Sequence, residues 1–275
     1  MEQELVSRAA SPGLREHISG YWGYGQRTGK PVRQREPLST GVVLILGLGP
    51  DLGLVDRDDP TRPPRKFGSF VAGLDDWCTV IAHEGEMRGL QVDLSPLATR
   101  MIFRMPMHHL AREVVALEDV FGRRASLLQE QLLETADWGS RFDLVERALA
   151  VRLAEAEPPP ADIEWAWRRL RRSEGRLSVT ELAAEIGCSR KHLATRFREH
   201  VGLPPKLLAR MLRFRHASDL LGSGSPMSLA EIAVRCGYYD QAHMDRDFRD
   251  FAATTPTALL LERVTFLQDA RARDI

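Results

Sequence analysis

The chain has 275 residues, of which 43% are hydrophobic and 28% charged, a balance that suits two globular domains with cores of their own and excludes fibrous and disordered classes. The formal net charge is zero, 38 Lys and Arg against 38 Asp and Glu, so any charge signal lies in its distribution. Residues 158–275 hold 19 Lys and Arg against 15 Asp and Glu, leaving 19 against 23 for the residues before them, and that sign suits a C-terminal domain approaching a polyanion.

The longest apolar run, residues 42–48, has strand length and a glycine interruption, and the N-terminus lacks a basic-then-apolar signal pattern. A cytoplasmic protein with no membrane span is expected. Cys78, Cys188 and Cys236 stand far apart without CxxC spacing, which fits reduced thiols acting as small buried hydrophobes.

Residues 21–24, 40–48, 69–74, 78–82 and 87–94 read as strands, with turn residues between them at Gly49 and Pro50, at Asp58, Asp59 and Pro60, and at Glu84 and Gly85. Short strands at this spacing predict a small β-barrel or sandwich. Residues 56–66, with three prolines and alternating charge, read as an exposed loop. The aromatics Tyr21, Trp22, Tyr24 and Trp77 are candidates for lining a ligand pocket, against the plainer alternative that they are core.

After Leu94 the pattern turns helical. Ser95 is placed to cap a helix with Pro96 at its first position, Pro106 begins a short turn, and residues 117–121, 125–135 and 142–155 continue as helices. Leu128 with Leu132, then Leu144, Ala148 and Val151, form apolar stripes that either cover the sheet or pair two subunits through residues 125–155. Pro158, Pro159 and Pro160 cannot continue a helix, which divides the chain into a sensor or dimerisation domain, 1–157, and a second domain, 158–275. Asp162 is placed to cap the next helix, which carries Ile163, Trp167 and Leu170 on one side and Arg168, Arg169, Arg171 and Arg172 elsewhere. The fold class is α+β, with trailing helices on the β domain and an all-α C-terminal domain.

That second domain contains one helical unit written twice. Residues 178–183 align with 228–233 and Gly187 with Gly237 at an offset of fifty; one residue is then inserted, and at fifty-one Ser189 falls on Asp240, Leu193 on Met244, Phe197 on Phe248, Arg198 on Arg249 and Pro205 on Pro256. Each copy opens with a capping box, Ser178 with Glu181 and Ser228 with Glu231, turns at a glycine suited to positive φ, and starts a second helix at an N-cap, Ser189 or Asp240. These are two helix-turn-helix units, 178–202 and 228–256, whose second helices, 189–200 and 240–251, would enter a major groove.

The face opposite the core carries Arg190, Lys191, Ala194, Thr195 and Arg198 in the first copy, and Gln241, Ala242, Asp245, Arg246 and Arg249 in the second. Arg and Gln can bond base edges bidentately and Asp can accept from cytosine N4, whereas the plain alternative is a solvated helix surface. His192 and His243 share a helical phase, suiting either phosphate contact or partly buried packing. A helix from Pro205 to about Leu221, ending at Gly222, Ser223 and Gly224, would hold the two units about one DNA turn apart.

Here the sequence resembles the C-terminal domain of the AraC/XylS family of bacterial transcription regulators. The likeness rests on Leu182, Ala183, Gly187, Ser189, His192, Leu193, Phe197, Gly202, Pro205, Arg213, Ala217, Leu220 and Leu221, then on Ile232, Ala233, Gly237, Tyr238, Gln241, Arg246, Phe248, Thr255 and Pro256. It implies a sequence-specific regulator of double-stranded DNA, with contacts from Arg190, Lys191, Ala194 and Thr195 and from Gln241, Ala242, His243, Asp245 and Arg246. It also implies a cupin-like N-terminal domain that senses a small-molecule effector or forms a homodimer, and RNA polymerase as partner where the regulator activates. The chain departs from the pattern at Ala253, where glycine is usual, at Met244, where a larger aromatic is common, and at Asp240, Asp245, Asp247 and Asp250. Four carboxylates there would weaken phosphate attraction, leaving the first copy to supply most of it.

Two other classes compete. A cupin-type metal-dependent enzyme would need clustered ligands, and only His83, Glu84 and Glu86 fall close together; the adjacent His108 and His109 point about 100° apart on a helix and chelate poorly. Nucleophile elbows, phosphate loops and zinc-finger spacings do not occur, so no catalytic residue, metal or cofactor is assigned. A helical adaptor would use the arginine-rich helices to bind a protein.

Overall fold

A computed structural model describes residues 2–223 and 225–261. Gly224 and the part of the C-terminal domain beyond Leu261 lie outside the described residues. The chain divides into two compact units, Met1–Arg35 with Gly41–Leu74 and Thr79–Pro158, and Pro159–Ile275 with the short segments Glu36–Thr40 and Asp75–Cys78.

Among the described residues the first unit holds ten strands, β1 (Glu2–Arg8), β2 (Ile18–Arg27), β3 (Val32–Arg35), β4 (Val42–Gly47), β5 (Leu52–Leu54), β6 (Arg65–Phe67), β7 (Phe70–Ala72), β8 (Val80–His83), β9 (Glu86–Leu94) and β10 (Val114–Ala116). They form two sheets of order β1-β2-β9-β4-β7-β10 and β3-β8-β5-β6, antiparallel at every pairing. No barrel closes among the described residues. The pattern at residues 2–8, 32–35, 52–54, 65–67 and 114–116 does not announce strands, and β6 begins inside the segment read as a loop. Four of these five lie at sheet edges, where charge such as the Arg65 and Lys66 of β6 guards against further pairing and erases the apolar alternation.

The pleat sorts the core of the larger sheet. Tyr21 pairs with Val92, Val92 with Leu44 and Leu44 with Val71, and this row belongs to the cluster completed by helices α1 (Pro96–Phe103), α3 (Arg123–Glu134) and α4 (Trp138–Ala154), with the short α2 (Leu117–Phe121) beside them. The next row, Trp22, Gln91, Ile45 and Phe70, points to the opposite face and is also buried. Ser95 caps α1 as expected, its Oγ accepting from Ala98 N at 3.1 Å. Leu128 and Leu132 are core as one stripe expected, whereas the buried face of α4 is Phe142, Val145, Leu149 and Leu153, and Leu144 and Ala148 of the other expected stripe are only partly buried. Val151, counted among the stripe residues, instead points outward, 55% exposed.

The second unit is helical: α5 (Ala161–Arg172), α6 (Val179–Ile186), α7 (Arg190–His200), α8 (Pro205–Gly222), α9 (Leu229–Arg235), α10 (Gln241–Ala252) and α11 (Pro256–Leu261). Pro160, not Asp162, occupies the N-cap of α5; Asp162 lies inside the first turn, where its carboxylate pairs with Arg196 of α7. Ile163, Trp167, Leu170, Leu182, Leu193 and Phe197 are buried around α5–α7, and Phe214, Ile232, Met244, Phe248 and Phe251 around α8–α10. Cys78 and Cys236 are buried, whereas Cys188 is only partly so, and burial pushes the Cys236 thiol up to about 11.

Each recognition-helix unit closes on a left-handed residue at the same aligned position, Gly202 at φ 100° and Ala253 at φ 50°. An alanine there carries Cβ strain that glycine avoids. Ala253→Gly is expected to stabilise the helical unit by about 0.5–1 kcal/mol, the strain relieved less the entropy that glycine adds to the unfolded chain. Urea unfolding of the two proteins measures it, and a destabilised Ala253→Gly protein would contradict it.

Candidate nucleic-acid interface

The two helix-turn-helix units are built by the same local bonds. Ser178 Oγ accepts from Glu181 N at 3.1 Å while Ser178 N donates to Glu181 Oε2 at 2.9 Å; Ser228 and Glu231 repeat the pair at 3.3 and 2.7 Å. Both glutamates are held below the ordinary carboxylate range, first by the backbone N–H each receives. Gly187 and Gly237 turn the chain at φ 76° and 81°, and the residue after each donates to the carbonyl of Ala183 (3.0 Å) or Ala233 (2.9 Å). The next helix then starts on a side-chain cap, Ser189 Oγ accepting from His192 N at 3.2 Å and Asp240 Oδ1 from His243 N at 2.7 Å.

Leu193 and Phe197, and Met244 and Phe248, turn inward with at most 1% exposure, which fixes the outward face of each second helix. On α7 that face exposes Arg190, Lys191, Thr195 and Arg198, with Ala194 half-buried at its edge. On α10 it exposes Ala242, Arg246 and Arg249, with Gln241, His243 and Asp245 half-buried. The structure thus gathers the candidate residues of each copy on one side of one helix. His192 is exposed, whereas the His243 ring packs edge-on against Tyr238 at 5.3 Å, so the two equivalent histidines differ in environment.

Part of the acidic character expected of α10 is tied up by an arginine of α8. Asp247 is buried, its Oδ1 accepting from Arg210 Nε and Nη2 at 3.0 and 2.7 Å, and Arg210 Nη2 also donates to Asp250 at 2.5 Å. Of the four carboxylates only Asp247 is withdrawn from the surface; Asp240 holds the cap while remaining exposed, Asp245 is half-buried, and Asp250 is exposed but paired with Arg210. Sequence reasoning also missed Tyr239, 90% exposed in the second turn. Its signal was the one-residue insertion after Gly237, which has no counterpart after Gly187.

The four aromatics expected to line a pocket do not share one face of the sheet. Tyr21 lies on the helix-covered face, its ring 6.0 Å from that of Phe142, and burial raises its phenol far above the ordinary value, with Glu146 adding to the shift. Trp22 and Tyr24 point to the opposite face, and Trp77 belongs to the other unit. A cleft of about 370 Å³ opens along β1, β2 and β9, with Glu4, Arg27, Glu86 and Arg88 among its lining, and none of the four aromatics borders it. Among the described residues no group of three or more His, Cys, Asp or Glu is placed to hold a metal ion. His83 is buried, its Nδ1 accepting from Gly85 N at 3.3 Å, and burial holds its pKa below the ordinary value. No helix among the described residues is long and apolar enough to cross a membrane.

Comparison with known proteins bears on the same region. Residues 182–261 match the family model described as a helix-turn-helix domain. Over 83 residues the chain is 39% identical to the HTH-type transcriptional regulator GlxA of Rhizobium meliloti (strain 1021), a match covering 30% of this chain and 25% of that protein. The chain therefore spans about a quarter of the length of that relative. Across 88% of this chain and 98% of the other, the fold superposes on the structure of ToxT from Vibrio cholerae with a TM-score of 0.51 at 11% identity, a likeness of fold alone. The C-terminal domain of AraT, a response regulator from Geobacillus stearothermophilus, aligns over 39% of this chain and 90% of its own at 21% identity and a TM-score of 0.36. Residues 182–261 thus match a helix-turn-helix domain and resemble in sequence the corresponding part of a transcriptional regulator, in keeping with the likeness of this region to the AraC/XylS family.

Proposed function

We propose that the protein is a sequence-specific transcription regulator whose C-terminal domain, residues 158–275, reads two successive major grooves with α7 and α10. One observation carries this reading: the two units share cap, turn and core while their outward faces differ at every aligned position but that of Arg198 and Arg249. A duplicated scaffold with unlike outer faces suits two reading heads on an asymmetric site. In this reading Arg190, Lys191, Ala194, Thr195 and Arg198 contact one half-site, and Gln241, Ala242, His243, Asp245, Arg246 and Arg249 the other. The connecting helix α8 has 18 residues, about 27 Å at 1.5 Å per residue, which suits heads about 34 Å apart on one face of a duplex.

The N-terminal unit, residues 1–157, would modulate the reading by binding a small-molecule effector or by forming a homodimer through residues 125–155. The exposed Leu127, Leu133 and Val151 supply the apolar surface a dimer needs, and RNA polymerase would be the partner at sites where the protein activates. No catalytic role is assigned to any residue. DNase footprinting of the full chain on duplexes flanking its own gene tests the core of this proposal. Two protected stretches about one helical turn apart, surviving competitor DNA, are expected; binding that competitor abolishes, with no protected stretch, would favour the protein-adaptor reading.

A further inference from the structure

Arg196 and Asp247 occupy the same aligned position in the two copies, and both turn inward onto the helix that precedes their own unit. Arg196 pairs with Asp162 of α5, and Asp247 with Arg210 of α8. The polarity is reversed between the copies, and the second pair is the more elaborate. Arg210 holds Asp247 through two nitrogens, reaches Asp250 one turn further on, and stacks its guanidinium 4.9 Å from the centre of the Phe251 ring. The Asp247 side chain is 1% exposed, while that of Asp250 is 57% exposed.

We propose that Arg210 is the positioning residue of the second reading head: a fork rooted in the connecting helix that sets the rotation of α10 about its own axis. It thereby decides how Gln241, Asp245 and Arg246 meet base edges. The inference rests on α10 being a recognition helix.

Apolar contacts such as those of Met244 and Phe248 decide which face of the helix turns inward but, being non-directional, set its rotation only coarsely. A planar guanidinium gripping carboxylates at i and i+3 prescribes both rotation and axial position. A rotation of about 20° would move a side chain at the helix surface, about 5–6 Å from the axis, by roughly 2 Å. Base-edge hydrogen bonds do not tolerate such a shift. Arg246 precedes Asp247 directly and Arg249 precedes Asp250 directly, so the inward grip and the outward contacts are coupled through adjacent residues. Lysine supplies the charge as a single point without the fork, which makes Arg210→Lys the informative change.

The test begins with the full-length wild-type chain selecting duplexes from a random-sequence library. Fluorescence anisotropy then measures affinity for the selected site and for each single base-pair change in it, with wild type, Arg210→Lys and Asp250→Asn. For Arg210→Lys, discrimination at the base pairs read by α10 should fall from roughly tenfold to about twofold. It should persist at the base pairs read by α7, with an unchanged salt slope and a nearly unchanged unfolding midpoint. Asp250→Asn keeps the buried Asp247 pair and serves if Arg210→Lys does not fold; it should lose about threefold in the same half-site only.

Discrimination retained in both halves, or lost equally in both together with the unfolding midpoint, overturns the proposal. A wild-type chain that selects no duplex overturns the DNA-reading function itself and this inference with it. That outcome is distinct from a chain that selects a site which the variants read as well as the wild type.

Discussion

Phe248→Ala is expected to destabilise the helical unit by about 3–5 kcal/mol and to abolish DNA binding without altering any outward-facing residue. Phe248 has no exposed surface, and its ring meets that of Phe214 at 4.8 Å in an edge-on contact, while Phe251 makes a second such contact with the same ring at 5.5 Å. Removing the Phe248 ring leaves a cavity between α8 and α10 that side chains anchored on two rigid helices cannot collapse to fill. The loss is a large part of the roughly 5–15 kcal/mol that stabilises a domain. Urea unfolding of the full chain, followed by helical circular dichroism, measures the effect. Tyr239→Ala is the control, since that residue is 90% exposed and should shift stability by less than about 0.5 kcal/mol. A loss below about 1 kcal/mol for Phe248→Ala would mean that the three rings do not pack as described.

The helical unit was legible because its signals are local. Capping boxes at Ser178 and Ser228, positive-φ glycines at Gly187 and Gly237, and apolar pairs four residues apart at Leu193 with Phe197 and Met244 with Phe248 all involve residues within one turn of each other, and duplication states each signal twice. The ion pairs were not legible, because Asp162 with Arg196 and Arg210 with Asp247 join residues 34 and 37 apart, and a charged residue beside a helix face looks the same in sequence whether it turns outward or inward. Asp162 shows the ambiguity plainly. An aspartate ahead of an apolar-periodic stretch is the usual N-cap signal, yet Pro160 takes that place and frees the carboxylate to reach α7.

The β unit was legible in its centre and not at its margins. Strand β4 reads as a dense apolar run and β9 as an alternation of Leu90, Val92 and Leu94 with Gln91 and Asp93, whereas β1, β3, β6 and β10 are edges whose pairing depends on a neighbour distant in sequence. The aromatic cluster at Tyr21, Trp22 and Tyr24 misled for a related reason. Consecutive strand residues face opposite ways, so closeness in sequence places Tyr21 against α4 and Trp22 on the other side of the sheet. Parity separates Tyr21 from Trp22 and Tyr24, which share the other face.

Replacing both Arg190 and Lys191 by alanine is expected to lower the slope of log affinity against log salt by about 2, on the rule of roughly one released counterion per phosphate contact. Affinity for specific and nonspecific duplexes should fall together, by roughly 10–100-fold at physiological salt. Both side chains are exposed on α7, and neither is held by a carboxylate among the described residues, so their charge is available to a polyanion. On α10 the balance is different from the one that a count of aspartates suggests. Arg210 neutralises part of the charge of Asp247 and Asp250 from the inner side, which leaves Arg246 and Arg249 facing outward against Asp240 at the cap and Asp245 at the edge. The second head is therefore near neutral rather than acidic, and its arginines are better suited to choosing a base than to attracting a backbone. Arg246→Ala should lower discrimination at one or two base pairs by about 1–3 kcal/mol with a slope change of about 1 or less. Both variants should keep wild-type stability to within about 0.5 kcal/mol, because their side chains make no buried contact. Salt titrations of anisotropy on the selected duplex separate the two effects. If the Arg190 and Lys191 replacements leave affinity and slope unchanged while Arg246→Ala abolishes binding, the second head supplies the attraction and the assignment of the two copies is reversed.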